Sequence, residues 1–168
     1  YKKGVMLETH TAGNSLKKLK KYLETMNVNF FDLGMNRGAV CDFFLEACKK
    51  SNIKTQVIGF EPMPHLFKKL YSKYKNTDNV EVLPYGISNT SGKSKIHSAN
   101  CEGGHSLFPD HDAVLNQNNN DKNCFDIETV VFSDFLSTNE VKYNINSSIN
   151  ILKSNNKFSV NFIFSFYP

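Results

Sequence analysis

Three short apolar runs, "VNFFDLG" (28–34), "TQVIGFEP" (55–62) and "NVEVLPYGIS" (79–88), are separated by stretches whose apolar residues recur at helical spacing. In the first such stretch, Gly38 to Lys50, those residues are Val40, Phe43, Phe44 and Ala47. In the second, Pro64 to Lys75, they are Leu66, Phe67, Leu70, Tyr71 and Tyr74. A further helix is expected from Ser15 to Met26, where Leu16, Leu19, Tyr22 and Leu23 oppose a set of lysines. Strands alternating with helices of this length leave few architectures open. The expected fold is α/β, with a mainly parallel sheet and flanking helices. Ligands of such sheets bind beyond the carboxyl ends of the strands. Asp32, Glu61 and a turn at Tyr85–Gly86 all fall at such ends.

After Ser88 the alternation stops. "NTSGKSKIH" suits a turn and hairpin, "ANCEGGHSLF" a loop, and "NQNNNDKN" a polar loop. "FDIETVVFSDFL" reads as one more strand entering a turn or short helix. Beyond Thr138 the chain becomes rich in asparagine and serine, and no element is assigned there. At 168 residues with a net charge of +4, a single soluble domain over 1–168 is expected. The lysine clusters at 17–21 and 68–75 are read as solvated helix faces rather than a nucleic-acid surface. No apolar run approaches the ~18 residues that span a membrane. Four cysteines without CxxC or zinc spacing read as reduced thiols in a cytoplasmic setting, and no metal set is expected. The opening at Tyr1, without a charged-then-apolar leader, is the expected look of a fragment or processed product.

The loop after the first strand, Asp32-x-Gly34-x-Asn36-x-Gly38, is the richest in chemistry. Its glycines allow positive φ and a close approach of backbone to ligand, and the next helix begins with free N–H groups. The spacing is neither that of a dinucleotide fingerprint nor that of a phosphate-cradling P-loop. An acid just before the glycines suits a ligand bearing an ammonium group better than a phosphate. A plain βα turn, glycines serving geometry alone, is the alternative. Glu61, 23 positions after Gly38, ends the next strand, where a carboxylate can accept hydrogen bonds from both hydroxyls of a ribose. The two features together favour a nucleoside with an amino acid tail, as in S-adenosylmethionine.

"FFDLGMNRGAVCDFF", "VIGFEPMPHLFKKL" and "NVEVLPYGISNTSGKSKIH" occur in that order and resemble the FkbM-type S-adenosylmethionine-dependent methyltransferases. "GGHSLF" and "IETVVFSDFL" are similar to that family's middle segment, so the likeness spans 28–136. The resemblance implies a Rossmann-like class I methyltransferase fold. It implies that Asp32, Gly34, Asn36 and Gly38 surround the methionine part of the cofactor and that Glu61 binds the ribose. Pro62 and Met63 would then flank the adenosine, with Gly86, Ile87 and Ser88 near the adenine. The implied reaction is methyl transfer to an oxygen of a small molecule or sugar, with a base removing the hydroxyl proton. His105, His65 and Asp134 are the candidate bases; each has an ordinary structural reading, a surface or helix-start histidine or a capping aspartate.

The family continues with a strand of the type I-x-F-I-K-I-D-x-E-G. Its expected counterpart here is "VNFI" in "SVNFIFSFYP", which lacks the lysine and the acids. The later strands and helices are absent, so residues 138–168 are expected to be an atypical tail on a C-terminally incomplete domain. Two other functions are compatible with the residues: a non-catalytic cofactor-binding module, and a nucleotide-dependent oxidoreductase, against which the missing G-x-G-x-x-G weighs.

Overall fold

The computed structural model describes residues 27–97, Leu107 and residues 124–154. Among the described residues, seven strands and three α-helices follow one another as β1 (Asn27–Leu33), α1 (Ala39–Lys50), β2 (Thr55–Phe60), α2 (Pro64–Tyr74), β3 (Val80–Leu83), β4 (Tyr85–Ser88), β5 (Gly92–His97), β6 (Cys124–Val131), α3 (Phe132–Thr138) and β7 (Ser148–Ser154). A short 3-10 turn, Ile145–Ser147, precedes β7. The helix expected over 15–26, the 98–106 loop containing His105, and "VNFI" lie outside the described residues.

Four strands form a parallel sheet in the order β3-β2-β1-β7. This is the α/β layout expected of the strand–helix alternation. β1 lies at its centre and is buried from Val28 to Asp32, as a parallel strand covered on both faces must be. One face carries Phe30, Val57, Val80, Val82 and Ile151, packed under α1 and α2. The other carries Phe31, Ile58, Phe60 and Leu152, packed against Phe132, Phe135 and Tyr143.

α1 follows Gly38, holds Asp42 in its first turn and Lys49 and Lys50 in its last, which suits the helix dipole. Its buried stripe differs from the expected one. Phe43 is 73% exposed and Ala47 is exposed; the expected Val40 does pack on the core, beside Cys41, Phe44, Leu45 and Cys48, which face the sheet. Those four are spaced i, i+3, i+4, i+7, and the shift arises because free cysteine buries as readily as a small hydrophobe. Phe44 stacks on Phe30 with ring centroids 4.2 Å apart. α2 opens with Pro64 in its first turn, where the missing N–H costs nothing.

The third apolar run is two strands, not one. Pro84 divides it: β3 pairs with β2, whereas β4 leaves for a second sheet of order β4-β6-β5. There β4 runs parallel to β6 and β5 antiparallel to it. Tyr85 and Gly86, expected as a turn, are therefore strand, continuous with Ile87 and Ser88. Met63 and Leu66 join α2 to this second sheet through Ile96 and Ile127.

The asparagine-rich stretch is not a tail up to Ser154. It supplies β7, which pairs with β1 along its full length, Asn29 opposite Asn150 and Asp32 opposite Lys153. Asn29 Nδ2 donates to the Tyr143 carbonyl (2.7 Å) and to Asn150 Oδ1 (3.0 Å). Asn150 Nδ2 in turn donates to the carbonyls of Ile145 (2.8 Å) and Ser148 (3.1 Å). Two buried amides thus close the turn and hold the strand in register, each satisfied as burial demands. Tyr143, 2% exposed, seals the sheet beneath them.

Candidate functional site

The carboxyl ends of β1, β2 and β7 converge on the loop from Gly34 to Gly38. Gly34 (φ 79°), Asn36 (φ 52°) and Gly38 (φ 78°) all adopt left-handed backbone there. Two successive amides, Gly34 N–H and Met35 N–H, donate to the Phe60 carbonyl at 3.0 and 2.9 Å, so the loop folds back over the end of β2. Met35 turns inward onto Gly59, where any Cβ would stand 2.2 Å from its Sδ. At Gly38 a Cβ would meet the Tyr74 hydroxyl at 2.5 Å. Tyr74 donates to the Gly38 carbonyl (3.0 Å) and Asp42 Oδ1 (2.7 Å), which anchors the start of α1. No side chain caps that helix start.

Glu61 is 4% exposed and clamps two loops. Oε2 accepts the backbone N–H of Asn36 at 2.7 Å and Oε1 that of Met63 at 3.0 Å. Each carboxylate oxygen retains a further lone pair. Burial pushes its pKa up, while those two N–H groups and the Lys153 charge pull it partly back.

Asp32 is fully buried. Its Oδ1 lies 2.8 Å from Lys153 Nζ, an ion pair by distance rather than an aligned hydrogen bond. No donor engages Oδ2, and Asn36 Oδ1 is likewise buried without a partner. Burial raises the Asp32 pKa against the opposing pull of Lys153. Lys153 also donates to the Gly34 carbonyl at 2.8 Å, so one ammonium ties β7 to the end of β1 and to the glycine loop.

Lys153 is the residue that the sequence reading missed. The strand beside β1 is "SINILKS" rather than "VNFI", and its lysine is present at the C-terminal end. The alternation Ile149, Ile151 and Lys153 in one phase was the available signal; Asn150 within it and the asparagine- and serine-rich flanks masked it.

Of the remaining expected site residues, Gly86 is buried, and a Cβ there would lie 3.6 Å from Pro62 Cβ, so β4 does pass the Glu61–Met63 corner. Ile87 packs into the apolar cluster with Phe31 and Phe60, which points its side chain to core packing. The Ser88 hydroxyl bonds Asn89. Asp134 is exposed in the first turn of α3, bonded by Ser133 at 3.3 Å. It lines a cavity of about 400 Å3 with Tyr85, Phe135 and Tyr143, to which neither Asp32 nor Glu61 contributes. His65 is exposed near Phe125, ring centroids 6.4 Å apart. His105 is outside the described residues. Among the described residues no three His, Cys, Asp or Glu side chains are grouped to hold a metal, and no helix is long and apolar enough to cross a membrane.

The chain matches no protein-family model, no curated protein and no solved structure. Two buried acceptors stand without donors beside a loop whose backbone admits close approach, with a second carboxylate two strands' width from Lys153. Such acceptors are costly to leave unmade. An ammonium, a hydroxyl or a water is the kind of donor that would satisfy them.

Proposed function

We propose that the chain binds S-adenosylmethionine at the carboxyl ends of β1 and β2 and transfers its methyl group to an oxygen of a small molecule or sugar. The observation that carries this reading is the pairing of the donor-seeking Asp32 Oδ2 and Asn36 Oδ1 with Glu61 on the adjacent strand. An amino acid tail supplies the ammonium that Asp32 Oδ2 seeks. A ribose supplies hydroxyls for the remaining lone pairs of Glu61. Gly34 leaves open space where a side chain would stand, while Pro62 and Gly86 offer an apolar corner beside the nucleoside. The resemblance of the three motif stretches to FkbM-type methyltransferases points the same way.

Lys153 alters the expected electrostatics. It already occupies one oxygen of Asp32, so the acid offers a ligand ammonium one oxygen rather than two. The bound sulfonium supplies an activated methyl group. The protein's part is then alignment of acceptor and methyl, together with exclusion of water. Asp134 lines the cavity that Leu83 and Tyr85 also border and takes the role of base in this reading.

Thermal unfolding with S-adenosylhomocysteine and, separately, NADH tests the binding step. A ligand at a hundred times its Kd adds about 2.7 kcal/mol of stability, so the first should raise the midpoint and the second should not. A rise with NADH alone would favour the oxidoreductase. A radiolabelled methyl assay over hydroxylated acceptors then separates an enzyme from a non-catalytic binder: transfer that falls in Asp134→Asn supports the assignment, and binding without transfer to any acceptor supports the module.

A further inference from the structure

At the opposite end of the parallel sheet lies a second cavity, of about 370 Å3. The seven residues of β1 put it about 20 Å of strand away from the glycine loop. Its walls come from the amino ends of β1 and β2, the turn before β3, and the Tyr143–Ser148 segment. They are dominated by amides and hydroxyls: Asn27, Gln56, Asn79, Asn144, Thr55 and Ser148. Ser148 is 5% exposed, and its Oγ is a buried hydroxyl with no hydrogen-bond partner. Few such groups occur in folded proteins without a ligand or water to serve them.

The charges at this cavity cancel. Lys54 is balanced by Asp78, and Lys142 is held 2.7 Å from Glu81 Oε1. An anion would find no surplus positive charge. A carboxamide presents a donor and an acceptor side by side, and a hydroxyl is likewise both. Neutral vicinal hydroxyls match that arrangement, and the volume falls within the range of small-molecule pockets.

We propose that this amide-lined cavity binds a neutral polyhydroxylated ligand of monosaccharide size, at a site separate from the strand-end crevice and independent of any methyl transfer. Gln56 and Ser148 supply the discriminating contacts. Asn79 is less free to do so, because its Nδ2 donates to the Thr55 carbonyl at 3.1 Å.

Saturation-transfer NMR on the whole chain tests this, with myo-inositol and glucose as neutral probes and inorganic phosphate added as an anionic competitor. The expected result is transfer to at least one neutral probe that excess phosphate does not diminish. Affinity should weaken about tenfold in Gln56→Leu and in Ser148→Ala, the loss of roughly one well-made hydrogen bond each. Should Gln56→Leu fail to fold, Ser148→Ala decides alone, since it removes only an unpartnered hydroxyl. No transfer to any neutral probe, loss of that transfer on adding phosphate, or affinity unchanged in Ser148→Ala would overturn the proposal.

Discussion

Gly38 combines a φ of 78° with a wall 2.5 Å from any Cβ. Gly38→Ala should therefore cost about 1–3 kcal/mol, through left-handed strain and displacement of Tyr74, as read by urea unfolding. Glu61 makes a pH prediction. Its folded pKa lies above its ordinary value of 4.5, so just above that value the folded chain binds more protons than the unfolded one. Stability must then fall as pH rises through that window. Asp32, raised from 3.8 by burial, acts in the same direction. Asp42 opposes them: burial alone would raise it, but Lys73 and Tyr74 hold it below 3.8, so its contribution is lost on acidification. Comparing unfolding free energies from pH 4.5 to 7, Glu61→Gln should show a shallower decline than the wild type. Thiol chemistry follows from burial as well. Burial pushes Cys41 up to about 11 and raises Cys48, so both should resist alkylation at pH 8 in the folded chain and react on unfolding, whereas half-exposed Cys124 should react in both states.

Among the elements, β7 shows best what could be read and what could not. β1, β2 and both intervening helices announce themselves through unbroken apolar runs and helical spacing. β7 does not, because two positions of its second face, Ser148 and Asn150, are polar, and the donor that serves the Asn150 amide oxygen lies more than a hundred positions away at Asn29. A buried amide looks like loop composition until its partner is known. Asn150→Ala removes the donor for two carbonyls and one contact of Asn29, and should destabilise the chain by about 1–3 kcal/mol. Hydrogen exchange should report that loss first in β7 and the 3-10 turn. The break at Pro84 is a second case. Proline at a strand junction was visible, but the departure of β4 to another sheet depends on β6, some forty residues later. Conversely, Phe43 was overread: aromatic character alone does not decide which face of α1 is buried.

At the scale of the whole molecule, Asp32, Gly34, Asn36, Gly38 and Glu61 were legible as a group, because each terminates or follows an apolar run. Lys153 was hidden inside the misread segment, and with it the fact that Asp32 already has a cationic partner. The sheet order β3-β2-β1-β7 explains both. β1 is flanked on one side by the carboxylate of β2 and on the other by the ammonium of β7, so the centre of the sheet gathers opposite charges at its carboxyl end. The bulk of the second sheet serves the same corner, bringing β4 past Pro62. Binding of a nucleoside with an amino acid tail there is the central claim. Isothermal titration of the whole chain with S-adenosylhomocysteine, repeated on Glu61→Ala with its fold checked by circular dichroism, tests it most directly. Saturable heat for the wild type and affinity weakened tenfold or more in the variant, about 1.4 kcal/mol, is the expected result. No heat at millimolar ligand, or equal affinity in a folded Glu61→Ala chain, would contradict it.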